Sequence, residues 1–316
     1  MKLTVTSSPH IRGDFRSSRM MLDVVLALIP ALIVGVIVLG FRALLVTLIS
    51  MAAAVAAEFL WSLILKRRNT IIDGSALVTG MLFALTLPST IPYWIAAAGS
   101  AFAIIVAKLM CGGLGQNIFN PALLSRAAMM LLFPAAMTRY PALGVDAVTA
   151  ATPLHHMVMP ALPEESILDM FLGNCPGSIG ELSALALIIG GVYLLIRDVI
   201  SDRIPIAYLA TVAVLTLVFH KTENAIAWML YSLFSGGVIL GAFFMATDFV
   251  TSPVTKEGQV IFGIGCGVLT VIFRYFGLYP EGVTYAILLM NLLAWTIDRI
   301  TPPARYGQQK GGKDNA

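Results

Sequence analysis

The chain has 316 residues, of which 58% are hydrophobic and only 12% are charged, and its mean hydropathy is +0.88. This composition excludes a soluble globular domain and predicts an integral membrane protein. The formal net charge of +3 is too small to indicate nucleic-acid binding. The three cysteines are far apart in the sequence and show none of the spacings that are typical of metal sites, clusters or disulfide frameworks.

The apolar segments are continuous rather than alternating, which predicts helices rather than the strands of a barrel. A helix needs about 20 apolar residues to cross the hydrocarbon core of a lipid bilayer, about 30 Å thick. We therefore predict an all-α polytopic membrane protein with about ten transmembrane helices. The basic residues lie at the chain ends and in short loops, which predicts that both termini are cytoplasmic. The first apolar segment is long enough to span and shows no cleavage signal, so it is predicted to be retained.

In chain order, a basic cytoplasmic segment is predicted at residues 1–19 and a first five-helix repeat at 20–137. A loop at 138–179 is poor in lysine and arginine, which predicts an extracytoplasmic position. A second five-helix repeat at 180–300 and a cytoplasmic tail at 301–316 complete the chain. In the first repeat, helices are predicted at residues 20–40, 43–65, 76–87 and 94–110, and a fifth helix ends near residue 137. In the second repeat, helices are predicted at residues 182–196 and 204–219, then from 225 with a short continuation at 236–246, then at 260–275, and the last helix ends near residue 300.

Two of these segments are too short to span and correspond to each other. Residues 78–86 and 239–247 each contain a glycine, Gly80 or Gly241, and each end in a threonine, Thr86 or Thr247. Because five helices is an odd number, the second repeat would enter the membrane inverted. Paired, broken half-helices in inverted repeats are typical of transporters and mark a midplane site. The alternative is a chance resemblance between apolar sequences.

Polar residues next to the short segments are candidates for binding. Asn117 and Asn120 lie beside glycines that allow a flat ligand to approach the backbone. Alternatively, Asn120, which is followed by Pro121, acts as a helix cap. Asp248 ends the second short segment. A carboxylate at bilayer depth costs about 2.5 to 3.5 kcal/mol and usually has a partner or a task. The alternative is an acidic residue solvated at the membrane surface.

The long loop contains a threonine in an uncrowded setting. Thr152 follows small residues and precedes Pro153, so its hydroxyl is accessible for esterification by another enzyme. The alternative is an ordinary loop, since such residues are common in turns. His155 and His156 follow without further ligands nearby, and we predict no metal site there. No nucleotide-binding loop or catalytic triad is present in the sequence, so no catalytic residue is predicted and redox chemistry would need bound cofactors.

Four motifs occur in one order along the chain, at residues 112–121, 146–152, 176–181 and 243–248. Together they resemble the D subunit of the Rnf ion-translocating electron-transport complex, and the related B subunit of the sodium-pumping NADH:quinone reductase. The second family typically has a longer N-terminal region than this chain. Two residues depart from the common pattern: Ala147 stands where glycine is usual, and Phe249 stands where proline is frequent.

The resemblance implies a covalent flavin in the long loop. By that resemblance, Thr152 carries FMN through a phosphoester bond that a separate flavin transferase forms. The other motif residues that match are Asp146, Thr149 and Ala151.

A second, non-covalent flavin is also implied by the resemblance, with riboflavin as the expected species. It would lie towards the cytoplasmic side near Asn117, Asn120 and Asp248.

The implied function is that of one membrane flavoprotein subunit in a translocase of the bacterial inner membrane. Electrons would pass between ferredoxin and NAD through partner subunits, among them a second FMN-carrying subunit and iron–sulfur subunits. Their transfer would be coupled to the movement of sodium or protons. Three alternatives stay open: a B-type quinone reductase subunit, a small-solute channel or transporter with inverted repeats, and a structural scaffold. The sequence leaves the coupling ion and the direction of electron flow open.

Overall fold

Helices make up nearly all of the regular structure in the computed structural model, which describes residues 17–66, 71–113, 115–141, 149–150, 166–277 and 282–302. The first half contains α1 (Ser17–Leu39), α2 (Phe41–Ile64), a 3₁₀ turn (Ile71–Asp73), α3 (Ser75–Leu85), α4 (Tyr93–Phe102) with a π-helical continuation (Ala103–Leu109), α5 (Pro121–Leu132) and α6 (Pro134–Met137). Between the halves lie β1 (Tyr140–Pro141), β2 (Thr149–Ala150) and α7 (Ile167–Leu172). The second half contains α8 (Ala184–Ile196), α9 (Arg203–Val218), α10 (Ala225–Phe234), α11 (Val238–Leu240) with a π-helical continuation (Gly241–Met245), α12 (Lys256–Phe276) and α13 (Val283–Ile300).

The lengths and apolarity of these helices confirm a multi-pass membrane protein. Within the described residues, α1, α2, α12 and α13 are each long and apolar enough to cross a membrane. A fifth candidate span joins α10 to α11 and its π-helical continuation, with a bend of 60° at the break. Five shorter apolar helices of 10 to 17 residues accompany these spans within the described residues. The predicted number of about ten transmembrane helices stays a prediction.

The first short helix, α3, is confirmed to be too short to span a membrane. Its 11 residues rise about 16 Å, roughly half of the hydrocarbon core. It begins after Gly74, whose φ of 73° lies in the left-handed region, and Pro88 follows two residues after Thr86, the C-cap. All but one of its residues are buried, so α3 is enclosed by protein rather than by lipid.

The second short helix lies in the matching place in the second half. The chain breaks after α10 at Ser235, and Gly236 has a φ of 63°. From Val238 to Met245 all residues are buried. Each half thus has one short, enclosed helical segment, as the internal repeat predicts, while the predicted domain boundaries stay predictions.

Close packing of small residues holds these elements together. A Cβ atom added to Gly80 in α3 would lie 2.9 Å from the Cβ of Ala54 and the Cα of Met51 in α2. The two halves meet through α1 with α8 and through α5 with α13. At the first of these contacts, a Cβ on Gly190 would lie 2.0 Å from the carbonyl oxygen of Ala27. Only glycine allows the backbones to approach this closely.

Two local expectations were wrong. The fifth helix was predicted to continue to residue 137, but α5 ends at Leu132 and α6 begins at Pro134, because proline has no N–H to continue the ladder. The loop at 138–179 was predicted without helix, yet it contains α7, whose N-cap is Ser166 and whose C-cap, Gly173, has a φ of 111°.

Candidate functional site

A cavity of about 710 Å³, counting the space at its mouth, lies where the two short helical segments meet α5. We call it the Asn117 pocket. Asn117, Asn120 and Asp248, which the sequence predicts to act together, all lie in its wall. Further residues of its wall are Ser75, Thr79, Lys108, Phe243, Phe244 and Thr247.

Three glycines lie in the turn that precedes Asn117 in the chain. Gly112, Gly113 and Gly115 have φ values of 119°, 102° and 93°, which place all three in the left-handed region. Side chains other than glycine are strained there, so this turn is encoded directly in the sequence. It leads from the end of the π-helical segment to Asn117.

Asn120 performs the capping role that was its alternative interpretation. Its Oδ1 atom accepts hydrogen bonds from the backbone N–H groups of Ala122 (3.1 Å) and Leu123 (3.4 Å), which makes it the N-cap of α5. Its Nδ2 atom donates to the carbonyl oxygen of Met245 at 3.2 Å. Asn120 therefore forms part of the wall and connects the first half to the second.

Asn117 differs from Asn120 in one decisive way. Its side chain is buried, but among the described residues no donor lies within hydrogen-bonding distance of its Oδ1 atom. An unsatisfied buried acceptor costs about 1–3 kcal/mol. A ligand N–H or O–H group in the pocket would satisfy it.

Asp248 lies in a turn directly after the π-helical segment Gly241–Met245 and is partly buried. Its Oδ2 atom accepts a hydrogen bond from Thr251 Oγ1 at 3.2 Å. Desolvation raises the pKa of its carboxyl group, and hydrogen bonds from Val250 and Thr251 partly oppose that rise. The carboxylate is placed in the pocket wall and is held by its own turn.

Lys108 is a member of this site that sequence reasoning missed. The residue is 1% exposed, and its Nζ atom donates to Glu58 Oε1 and to Ser75 Oγ, each at 2.7 Å. The only signal was a lysine inside the apolar segment 94–110, with a matching acid in the second helix. Lys108 lies in the π-helical segment Ala103–Leu109, and π-helical turns are frequent at functional sites.

The rest of the wall is largely apolar. The rings of Phe243 and Phe244 line it from the second π-helical segment, and Thr79 and Thr247 add hydroxyl groups. A mostly apolar cavity with a few convergent polar groups is the usual form of a small-molecule site. This arrangement suits a flat ligand with apolar faces and hydrogen-bonding edges.

The far end of α3 has a different character. A cavity of about 260 Å³ lies there, lined among others by Thr86, Arg126, Glu181 and Thr284. Arg126 Nη1 donates to the carbonyl oxygen of Thr86 at 2.6 Å and lies 3.6 Å from Glu181 Oε1.

The motif at residues 176–181 caps the same helix end. The backbone N–H of Ile179 donates to the carbonyl of Leu87 at 3.0 Å, and that of Gly180 donates to the carbonyl of Leu85 at 2.8 Å. The last carbonyls of a helix need such partners. The sequence identified this motif only through a family resemblance, and the structure gives it a physical role.

The predicted flavin-attachment residues are mostly beyond the described part of the chain. Asp146, Ala151 and Thr152 lie outside the described residues, as do His155 and His156. Thr149 is described by its backbone only: β2 pairs antiparallel with β1, so that Tyr140 faces Ala150 and Pro141 faces Thr149.

Comparison with known proteins adds what geometry alone does not provide. A sequence model of the NQR2, RnfD, RnfE family matches residues 4–307. The chain belongs to this family. It is 45% identical to the D subunit of the Na⁺-translocating ferredoxin:NAD⁺ oxidoreductase complex of Acetobacterium woodii, over 99% of this chain and 98% of the relative.

Two further family members are similar over nearly their whole length. The D subunit of the proton-translocating ferredoxin:NAD⁺ oxidoreductase complex of Clostridium ljungdahlii is 44% identical, over 97% of each chain. The D subunit of the ion-translocating oxidoreductase complex of Stutzerimonas stutzeri is 39% identical, over 93% of each chain. The resemblance to Rnf D subunits that the four motifs indicate is thereby confirmed, and these similarities do not favour a solute carrier.

Proposed function

We infer that this chain is the D-type membrane subunit of a bacterial ion-translocating ferredoxin:NAD⁺ oxidoreductase complex. The observation that carries this inference is the 45% identity over 99% of the chain to a subunit of that name. As one subunit of a larger oxidoreductase, it works with further membrane and peripheral subunits, including iron–sulfur subunits and a second FMN-carrying subunit.

The coupling ion is sodium or the proton. The relatives named as sodium- and proton-translocating are 45% and 44% identical to this chain. Overall similarity therefore favours neither ion.

A covalent FMN at Thr152 is the first cofactor of the proposal. Its support is the motif of residues 146–152, in which a threonine hydroxyl lies between small residues and Pro153. A dedicated flavin transferase would form the phosphoester bond. Bound FMN would supply the one-electron chemistry that the side chains of this protein lack.

Riboflavin in the Asn117 pocket is the second cofactor of the proposal. Asn117 Oδ1, which has no hydrogen-bond partner among the described residues, can accept a hydrogen bond from a ligand N–H, and Phe243 and Phe244 offer apolar surface for a flat ring system. Among the described residues, Lys108 supplies the one ammonium group that lines the pocket, and it is already paired with Glu58 at 2.7 Å. A phosphate group would need unpaired cationic or N–H donors. The pocket wall thus favours a neutral flavin over FMN.

The chain's own residues would hold this flavin in place. Asn117 accepts a hydrogen bond from its edge, and Asn120 fixes the wall by joining α5 to Met245. The Asp248 carboxylate lies in the same wall, held by Thr251, and can accept a hydrogen bond from a ligand hydroxyl. The Lys108–Glu58 pair leaves this end of the pocket without net charge.

The attachment proposal is tested by flavin fluorescence of the denatured chain in a gel after co-expression with a flavin transferase. We expect fluorescence in the wild type and its loss in Thr152→Ala. Thr138→Ala is the matched control: Thr138 is an exposed threonine of the same loop that lies outside the motif, and this variant should keep the signal. Fluorescence that survives in Thr152→Ala would contradict attachment at this residue. A wild-type chain without fluorescence would contradict a covalent flavin altogether.

A further inference from the structure

The buried side chain of Asn291 connects two parts of the wall of the Asn117 pocket. Asn291 belongs to α13, is 4% exposed and does not itself line the pocket. A buried amide needs partners for both of its polar atoms. In the orientation that supplies them, Asn291 Oδ1 accepts a hydrogen bond from the backbone N–H of Asn120 at 3.1 Å. Its Nδ2 atom donates to the carbonyl oxygens of Thr251 (3.3 Å) and Ile287 (3.2 Å).

These hydrogen bonds hold a turn that forms part of the pocket wall. Residues 247–250 all line the pocket, and the chain is anchored on both sides of them. Before the turn, Asn120 Nδ2 donates to the carbonyl oxygen of Met245 at 3.2 Å. After the turn, Asn291 binds the carbonyl oxygen of Thr251. Because Asn291 also binds the N–H of Asn120, its side chain connects the two anchoring points.

The Asp248 carboxylate depends on the second anchoring point. The backbone N–H of Thr251 donates to the carbonyl oxygen of Asp248 at 3.3 Å, and Thr251 Oγ1 donates to Asp248 Oδ2 at 3.2 Å. The position of Thr251 therefore determines where the carboxylate lies. Asn291 fixes Thr251, and through it Asp248.

A second residue of α13 holds the chain directly after this turn. Asp298 Oδ1 accepts hydrogen bonds from the backbone N–H groups of Val254 (3.1 Å) and Thr255 (3.3 Å). Asn291 and Asp298 are about two helical turns apart, so they lie on one face of α13, about 10 Å from each other along its axis. Residues 251–255 are thus attached to one helix at two points.

We propose that Asn291 is a positioning residue for the flavin of the Asn117 pocket, because it sets the distance between the start of α5 and the turn that contains Asp248. This inference rests on the proposed function, in which riboflavin occupies the pocket. A site binds best when its groups are already in the bound arrangement. If the turn populates other arrangements, the apparent affinity falls in proportion to the fraction of chains that stay competent. A purely structural polar contact between membrane helices would change stability alone.

The test compares two buried hydrogen-bonding residues. Asn291→Leu removes the amide at nearly constant volume. Thr270→Val is the matched control, since Thr270 is fully buried, its Oγ1 lies 2.6 Å from the hydroxyl of Tyr208 between α9 and α12, and it does not line the pocket. Three quantities are measured on the flavin-free, detergent-solubilised full chain: riboflavin affinity by quenching of flavin fluorescence, amide hydrogen exchange of peptides that contain residue 120 or residues 246–252, and the thermal unfolding midpoint.

We expect Asn291→Leu to weaken riboflavin binding by about tenfold, the effect of about one lost hydrogen bond. In the ligand-free chain it should accelerate exchange at the Asn120 amide and in the turn. Saturating riboflavin should restore slow exchange in the turn, since the ligand selects the ordered arrangement. Thr270→Val should keep wild-type affinity and exchange in these peptides, whatever its effect on the unfolding midpoint.

A second variant covers the case in which Asn291→Leu does not fold. Asn291→Ser keeps a small hydroxyl group that can bond the carbonyl of Ile287 in its own helix, but its side chain is one atom shorter than the amide. It should weaken riboflavin binding to a similar extent. The inference is overturned if a folded Asn291 variant keeps wild-type affinity, or if Thr270→Val weakens binding as much.

The outcomes also separate this inference from the proposed function. A wild-type chain that does not bind riboflavin would overturn the second cofactor of that proposal and the role of Asn291 with it. If the wild type binds riboflavin and the Asn291 variants bind it equally well, only the positioning role falls.

Discussion

The two ends of α3 are built from similar residue types but differ in how far their polar groups are satisfied. At the Asn117 pocket, a buried amide oxygen lacks a partner among the described residues, and the space, counting that at its mouth, is about 710 Å³. At the Arg126 end, the guanidinium and two backbone N–H groups bind the last carbonyls of the helix around a space of only about 260 Å³. The first arrangement is suited to a ligand and the second to mechanical support.

The largest effect on stability should come from removing the positive charge of Arg126 at the C-terminal end of α3. Arg126→Met leaves the Glu181 carboxylate buried without its ion pair and the Thr86 carbonyl without its donor. Breaking a buried pair costs about 3–5 kcal/mol. We expect a large fall in the thermal unfolding midpoint of the solubilised chain.

The double variant Arg126→Met/Glu181→Met sharpens this prediction, because removing both charges avoids an unpaired carboxylate. It should be more stable than Arg126→Met alone. Equal stability of the two variants would show that the unpaired Glu181 carboxylate is not the origin of the loss.

An intermediate effect, on ligand affinity, is expected in the Asn117 pocket. Asn117→Leu removes the unsatisfied acceptor, which should weaken riboflavin binding by about tenfold to a hundredfold for one lost hydrogen bond of about 1.4 to 3 kcal/mol. Fold stability should be maintained, because Asn117 Oδ1 has no partner among the described residues to lose. Titration of the flavin-free chain with riboflavin, followed by quenching of flavin fluorescence, measures the affinity.

Asn224→Ala provides the opposite control. Asn224 caps α10 by accepting a hydrogen bond from the Ala227 N–H at 3.1 Å, so its loss should cost about 1 kcal/mol of stability without changing riboflavin affinity. If the two asparagine variants behaved alike, the contrast between a ligand group and a structural group would be lost.

The smallest effect should be a change in pH dependence. The pKa of the Asp248 carboxyl is raised in the folded chain by desolvation. A raised pKa means that the folded state binds the proton more tightly than the unfolded state. The resulting stability is present below the ordinary aspartate pKa of about 3.9 and is lost as the pH rises through the folded-state pKa.

Asp248→Asn should remove this dependence and flatten the profile of unfolding midpoint against pH above about pH 4. If Asp248→Asn kept the wild-type slope of unfolding midpoint against pH, the pH dependence would arise from another group.

Local patterns explain which features could be predicted from the sequence. Bilayer thickness sets the length of an apolar segment, so the all-α multi-pass class and the shortness of α3 were predicted correctly. The Asn120–Pro121 pair encodes a cap within three residues, and the capping alternative is confirmed. The break at Pro134 follows an equally local rule, but it was overlooked.

The polar clusters could not be predicted because their members are distant in the sequence. Lys108 lies 50 positions from Glu58 and 33 from Ser75. Arg126 is likewise 40 positions from Thr86. Without a fold, nothing shows that these side chains meet. The choice between Asn117 and Asn120 as the ligand group also required the structure, since both are asparagines beside the same glycines.

The helix α5 connects the Asn117 pocket to the Arg126 end of α3. Asn120 caps its first turn and holds the carbonyl of Met245, next to the phenylalanines that line the Asn117 pocket. Arg126 lies six positions further on, about 9 Å along the same axis, and holds the end of α3. A helix this short does not bend without a proline, glycine or bulge, and after its first residue α5 contains none of these. Any movement of the first turn of α5 at Asn120 therefore also moves Arg126. In this way α5 rigidly connects Met245, at the end of the second short segment, to the C-terminal end of α3.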